Sequence, residues 1–285
     1  MPTVDVVVPR VRQERRTAPQ VVPATASPDA TEGVPQAPVA SASEQNFTGA
    51  DGNARPFSRL AEALEVVPGL MITQHSGDGK ANQYFLRGFN LDHGTDLAIS
   101  VDGMPVNMRT HGHGQGYADL NFLIPELIGS VHVRKGPYFA DEGDFSSVGS
   151  VHIGLIDTVQ KSMALATAGS FGYRRALGIT STKVGDGNLL IAGEANTYNG
   201  PWDNPDKLRK LNAVVRYTEG TVANGFSLTG MAYSNRWNST DQIPLRAITS
   251  GQVGFYGALD PSDGGNSDRF SLSGRWAQAD KNGSS

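Results

Sequence analysis

The residues best equipped for chemistry crowd into one stretch, Asn107-Met108-Arg109-Thr110-His111-Gly112-His113-Gly114-Gln115-Gly116-Tyr117-Ala118-Asp119. His111 and His113 stand two apart. On an extended backbone such side chains point to the same side, so both imidazoles could reach one metal ion. Neutral imidazole suits zinc, copper, iron or nickel. Two ligands do not complete a site, and Asp119, His93 or a loop from elsewhere would have to supply the rest. The alternating glycines equally fit a polar loop of unusual backbone geometry that binds nothing. Gly112, Gly114 and Gly116 do not spell GxGxxG and no strand-to-helix unit surrounds them, which argues against a dinucleotide site. Asp141, Glu142 and Asp144 form a second polar cluster, either a calcium site or a solvated acidic turn.

Composition narrows the classes that can hold these residues. The chain has 285 residues, of which 34 are glycine, and only 18% are charged. Abundant glycine with few charges suits strands and turns better than helical bundles. A net charge of −4 provides no basic footprint for nucleic acid. The absence of cysteine rules out disulfide scaffolds and thiol catalysis. No run of about 18 apolar residues exists, so no transmembrane helix is expected. Met1-Pro2-Thr3-Val4-Asp5 has neither a basic start nor an apolar core of the secretory kind. That predicts a processed or truncated chain, or a start placed too far downstream.

Three regions follow from pattern. Residues 1–45 are rich in Pro, Ala, Ser, Thr and Val, and are expected to be a disordered tail that buries too little apolar surface to offset its ordering entropy. Residues 46–157 mix short strands and helices. Phe57, Leu60, Ala61 and Leu64 share one face of a predicted helix over 57–67, which Pro68-Gly69 stops. Strands are predicted at 70–74, 83–87, 97–102, 131–135 and 151–157, with a short helix within 121–128. This is an α+β arrangement. From residue 158 onward the pattern alternates with period two, in six predicted strands near 163–169, 176–184, 189–198, 211–218, 226–236 and 269–277. Leu211, Ala213, Val215 and Tyr217 share a face opposite Asn212 and Arg216. Phe270, Leu272, Gly274 and Trp276 oppose Ser271, Ser273 and Arg275. Short turns alternate with longer polar loops. A lipid-facing wall lined by water needs this pattern, although a soluble sandwich would also alternate.

The ordered series Leu60-Ala61-Glu62-Ala63-Leu64, Val67-Pro68-Gly69-Leu70, Leu86-Arg87-Gly88-Phe89, Val101-Asp102-Gly103-Met104-Pro105, Arg134-Lys135-Gly136-Pro137 and Gly149-Ser150-Val151-His152-Ile153 resembles the plug domain of TonB-dependent outer-membrane receptors. The individual motifs are short; their joint order is specific. The resemblance covers residues 50–157, and 162–277 by texture alone. It departs where Tyr-Gly and Gly-Gly pairs are usual, since Tyr138-Phe139 and Gly149-Ser150 stand there, and His132 occupies a strand that is commonly acidic. These departures indicate a divergent subfamily.

The resemblance implies an α+β plug followed by the first strands of an antiparallel transmembrane β-barrel. Plugged transporters have roughly 22 strands, so the chain is expected to be the N-terminal portion of a longer receptor. It implies uptake of a scarce nutrient, such as a metal chelate of the siderophore kind, across the bacterial outer membrane, with no reaction catalysed and no cofactor beyond a metal carried by the substrate. Its implied partners are a TonB-type energy-coupling protein, outer-membrane lipid and an extracellular small ligand. Thr3-Val4-Asp5-Val6-Val7-Val8-Pro9 resembles a TonB box, with Val4, Asp5, Val6, Val7 and Val8 offered for strand addition; a chance Val-rich tract reads the same way. Loops at the plug apex meet the ligand in this family. Arg109, His111, His113, Gln115 and Tyr117 are therefore the expected contacts, with Arg87 of Arg87-Gly88-Phe89 added by its motif position; Arg87 fits a purely structural ion pair equally well. Two other readings stay open. One is a plug-like binding or sensing module without transport. The other is a metal-dependent hydrolase built on His111 and His113, which would need a repeated β/α scaffold with further ligands on other strands.

Overall fold

The computed structural model describes residues 43–54, 60–74 and 77–279. Val4 to Val8, Phe57 and His75 lie outside the described residues. The first part of the fold is built on a five-stranded mixed sheet and a smaller three-stranded one. The larger sheet contains β1 (Glu44–Thr48), β5 (Leu97–Val101), β6 (Met104–Pro105), β7 (Ile128–Lys135) and β8 (Gly149–Leu155) in the order β1-β7-β8-β5-β6. All neighbours in it are antiparallel except β5 and β8. The smaller antiparallel sheet contains β2 (Leu70–Thr73), β3 (Gln83–Leu86) and β4 (Phe89–Asn90).

Alternation decides which side chains enter the core. Leu97, Ile99 and Val101 of β5 point inward, as do Val131 and Val133 of β7 and Val151 and Ile153 of β8. Ile128 breaks the parity of β7 yet is also buried, because a bulge shifts register between Ile128 and Ser130. One extra residue in a strand reverses the face that follows it. Leu60, Ala61 and Leu64 close the core from above, on the face expected for a helix. The element itself is 3₁₀ over Leu60–Val66 rather than α-helical over 57–67. The helix expected within 121–128 is also reduced, to a 3₁₀ turn at Pro125–Leu127. The one short α-helix here, α1 (Gly49–Asn53), has a reciprocal cap between Thr48 and Asp51.

β1 was not anticipated, and it begins at Glu44, inside the stretch expected to be tail. Its charged residues explain its docking on the sheet edge. Buried Glu44 accepts from Arg134 Nε at 3.1 Å and lies 2.9 Å from His132 Nε2. Arg134 also reaches Asp141 at 2.7 Å and Glu142 at 3.0 Å. Two carboxylates of the acidic cluster are thus committed to an arginine, which corrects the calcium-site alternative in favour of a structural turn.

The second part is one antiparallel meander of β9 (Met163–Ala168), β10 (Arg174–Val184), β11 (Gly187–Tyr198), β12 (Leu208–Gly220), β13 (Asn224–Asn238) and β14 (Gly264–Gln278), each paired with the next. All six lie where the alternating pattern placed them. Residues 185–186 and 221–223 connect strands at one end of the sheet; residues 199–207 and 239–263 do so at the other, the last carrying α2 (Leu245–Thr249). Leu211, Val215, Leu228, Phe270, Leu272 and Trp276 are exposed on one face. On the other, Asn212, Arg216, Thr229 and Asn235 are buried against the first part of the chain. Among the described residues no strand pairs with the outer edge of β9 or β14.

Candidate functional site

The loop after β6 is a closed excursion with a clamped neck. Met108 and Tyr117 bridge its two limbs, Met108 donating to the Tyr117 carbonyl at 3.0 Å and Gly116 to the Met108 carbonyl at 2.8 Å. Asn107 fastens the neck to the sheet. Its Oδ1 accepts from Ile99 N at 2.6 Å, and its Nδ2 faces the carbonyls of Gly94, Leu97 and Gly116 at 2.8–2.9 Å. Gly94 and Gly116 let the limbs meet there. Both have positive φ, +115° and +78°, and a Cβ on Gly116 would lie 2.8 Å from Phe145 and 3.0 Å from the Thr95 Cα. Only glycine adopts that backbone without strain at so close an approach.

Above the neck, the sequence-predicted residues separate into groups. His111 does not join His113 around a shared point. Its ring stacks on Tyr117 at 4.0 Å and 6°, and its Nδ1 accepts from the His113 backbone N–H at 3.1 Å. His113 turns instead toward the β4–β5 connection, where its ring meets that of His93 edge-on at 4.5 Å. Asp92 lies beside both, 3.7 Å from His93 Nε2 and 3.9 Å from His113 Nε2. One ligand atom from each of Asp92, His93 and His113 falls within 4.8 Å of the other two. The groups that join His113 are therefore His93 and Asp92. Asp119, the other candidate, accepts from Asn121 N at 2.8 Å and faces Tyr233 Oη at 3.4 Å. Burial pushes its carboxyl above the ordinary range.

Tyr117 is the post on which the cluster is built. Its hydroxyl accepts from Ala81 N at 2.9 Å, and burial moves its pKa up to about 12, so it stays neutral. Arg109 and Gln115 are exposed on the same excursion. Arg87 is not part of it. Arg87 (φ +54°) and Gly88 form the tip of the β3–β4 hairpin, whereas His93 is tied to the hairpin's base through Asn82. Burial first, and then the nearby Arg87 charge, hold the Lys135 ammonium below its ordinary range; Lys135 donates to the Pro68 carbonyl at 2.8 Å.

The cluster occupies a definite end of the molecule. Gly77 N donates to the Thr240 carbonyl, in the long β13–β14 connection, at 3.0 Å. The segment that follows Gly77 then supplies the Ala81 N–H to the Tyr117 hydroxyl and the Asn82 carbonyl to His93. The histidines therefore hang from the side of the long connections. At the opposite end Arg216 holds Asp157 at 2.8 Å and also Asp102. Near the long connections Arg175, the second residue of β10, makes a two-pronged bond to Glu126 at 2.7 and 2.8 Å, and between the ends Asn212 donates to the Asn121 carbonyl at 3.1 Å. None of these joints was anticipated from sequence. Arginines on the polar side of alternating strands were the signal for the two ion pairs.

Residues 39–150 match the family described as TonB-dependent Receptor Plug Domain. This segment is a TonB-dependent receptor plug domain. The plug and the strands after it share their fold with solved receptors. One is the copper transporter OprC, 19% identical over 74% of this chain and 32% of that one, with a TM-score of 0.53. Others are the FrpB iron transporter from Neisseria meningitidis (18%, over 68% and 32%, TM-score 0.52) and the siderophore receptor PirA from Acinetobacter baumannii (18%, over 70% and 32%, TM-score 0.51). The chain spans about a third of the length of these structures. The six-stranded sheet resembles part of the antiparallel barrel wall of these receptors and lies against the plug; among the described residues it does not close. The repeated β/α scaffold that a His-x-His hydrolase requires is absent among the described residues.

Proposed function

We propose that this chain is the plug and first wall strands of an outer-membrane receptor that takes up a scarce extracellular ligand, driven by a TonB-type partner and catalysing no reaction. The observation that carries this reading is the two-sidedness of the wall. Its buried face is joined to the plug by arginine–carboxylate pairs, while its other face exposes Leu211, Val215, Leu228, Phe270, Leu272 and Trp276. Strands with one apolar and one polar face fit a bilayer on the first side and a gated lumen on the second. Outer-membrane barrels carry their long loops outside, which puts Arg109, His111, His113, Gln115 and Tyr117 on the side from which a ligand arrives. The partner would take Val4 to Val8 by strand addition, and force passed along the tail would reach the plug first at its edge strand β1.

Growth tests this. A strain lacking the gene is complemented with the full-length receptor and with Val6→Pro, and grown on limiting iron, zinc, nickel, cobalamin or glycans. Proline removes a backbone donor that strand addition uses. Wild type should restore growth in at least one medium, and Val6→Pro should fail there while reaching the outer membrane in equal amount. Equal growth of both in every medium restored by wild type, or no medium restored at all, counts against energy-coupled uptake.

A further inference from the structure

We infer that Asp92, His93 and His113 form a binding site for a single divalent transition-metal ion of the zinc type, and that this ion, bare or in a chelate with open coordination positions, is what the plug recognises. The inference rests on the uptake reading only for its biological role; the site itself stands on geometry.

Two imidazoles and one carboxylate are a donor set suited to zinc and its neighbours, and three protein ligands leave a position for water or cargo. In a tetrahedral zinc site with bonds near 2.0–2.1 Å, donor atoms sit about 3.4 Å apart. The Asp92–His93 and Asp92–His113 separations, 3.7 and 3.9 Å, run to the two different oxygens of the Asp92 carboxylate, and one ligand atom from each residue lies within 4.8 Å of the other two, a looser triangle around the same point. The Asp92 and His113 side chains, 45% and 42% exposed, have room to turn toward a shared ion.

The third ligand is already fixed. The His93 side chain is only 3% exposed, and its Nδ1 lies 3.1 Å from the Asn82 carbonyl. A carbonyl can only accept, so Nδ1 carries the proton; in the neutral ring that leaves the lone pair on Nε2, the atom that faces Asp92. Metal-binding histidines are commonly oriented in this way by a second hydrogen bond. His111 acts on the site at one remove. By stacking on Tyr117 and accepting from His113 N, it sets the backbone that aims His113. It is a positioning residue, not a ligand.

The burial gradient also has a consequence. A structural zinc site is closed on all sides, whereas this one has an anchored histidine at its base and two solvent-facing arms. Such a site exchanges its ion, as capture and release require. The chain has no cysteine, so no thiolate competes for the metal.

The test is calorimetric titration of the purified, detergent-solubilised receptor with zinc chloride after chelator treatment, magnesium chloride serving as the blank. Cobalt(II) absorption provides a readout of ligand type. The expected result is one saturable zinc equivalent and no magnesium binding. His113→Ala and Asp92→Asn should each weaken zinc about 10-fold or more, as loss of metal-site groups does, with an unchanged tryptic pattern showing that the variants are folded. His111→Gln should bind within about threefold of wild type, less than the 10-fold that separates a ligand from its support. No saturable zinc binding, or His113→Ala titrating like wild type, overturns the site. So does His111→Gln losing as much as His113→Ala. Zinc binding without Val6-dependent growth would leave the site standing and remove transport; the reverse would keep transport and assign it another cargo.

Discussion

Arg216 on β12 of the wall donates from Nη1 to Asp102 in the tight turn of the plug motif Val101-Asp102-Gly103, and the two residues are 114 positions apart in sequence. The arginine side chain is 7% exposed and is also held by Thr229 and Asp157. Asp102 in turn accepts from Leu155 N at 3.1 Å, so the pair ties the wall to two plug strands at once. Removing the arginine leaves a half-buried carboxylate without its main partner, at a cost below the roughly 3–5 kcal/mol of breaking a fully buried pair. Removing the charge of Asp102 should cost less, since burial already raises its carboxyl toward the neutral form and Arg216 only partly reverses this. We predict that Arg216→Met lowers the urea midpoint for plug release, followed by trypsin sensitivity, more than Asp102→Asn does. The opposite order would mean that the joint is not held by this pair.

The wall makes a separate prediction about sidedness. Leu272 and Ser273 are neighbours in the middle of β14, opposite Gly230 and Thr229, and point to opposite faces. Leu272 is 76% exposed on the apolar face. An arginine there would enter the bilayer near its midplane at a cost of about 2–4 kcal/mol, whereas the same residue at 273 would face the lumen. Leu272→Arg should reduce the heat-modifiable folded fraction in lipid vesicles, and Ser273→Arg should leave it near wild type. Equal damage from both would contradict the lipid-facing assignment.

The joint and the wall differ in how far the sequence reveals them. The wall was legible because a strand's pleat repeats every two residues, so Leu211 and Asn212 announce their faces locally. The plug was legible through the order of its short motifs. Less visible was anything set by distant partners. Arg175 and Glu126, or Arg216 and Asp102, meet only once the wall lies on the plug, and no local spacing encodes that. The i, i+2 rule placed His111 with His113, but it assumes extended backbone. The loop turns between them, which sends one ring onto Tyr117 and the other onto His93. Arg87 was assigned by motif position, and the β3–β4 turn places it at the far end of a hairpin from the histidines. The 3₁₀ geometry at Leu60–Val66 presents nearly the same buried face as an α-helix, which is why Leu60, Ala61 and Leu64 enter the core as expected although the helix type differs.

Asn107 should control the apical loop independently of any ligand. Truncation to alanine leaves Ile99 N–H and three carbonyls without their side-chain partner, a loss of about 1–3 kcal/mol. Hydrogen exchange should accelerate at the Met108 and Gly116 amides, which bridge the neck, while Val133 and Val151 in the core keep wild-type protection. Asn107→Asp retains the acceptor for Ile99 but turns an oxygen toward the three carbonyls, so it should do no better. Uniform acceleration across the plug would show that Asn107 supports the whole domain instead.

Acid should loosen the Arg175 joint through Glu126. Burial alone would raise this carboxyl, but the two hydrogen bonds from Arg175, its charge and that of Lys210 outweigh burial and leave it below its ordinary value of 4.5. Glu194, which shares Arg175 and Lys210, is the other carboxylate facing the group. For a carboxyl depressed by folding, the unfolded chain binds the extra proton, so stability rises with pH across the window between the two values. The contribution is complete above pH 4.5 and is lost as pH falls below it toward the folded value. Glu126→Gln keeps the shape but not the charge, and hydrogen bonds to a charged group are worth about 1.5–3 kcal/mol. At neutral pH this variant should release the plug at lower urea than wild type, and its midpoint should change less with pH below 4.5 than the wild-type midpoint. Equal acid sensitivity in the two proteins would place the titrating group elsewhere, with the Arg134-bound Glu142, also depressed by its partners, the next to examine.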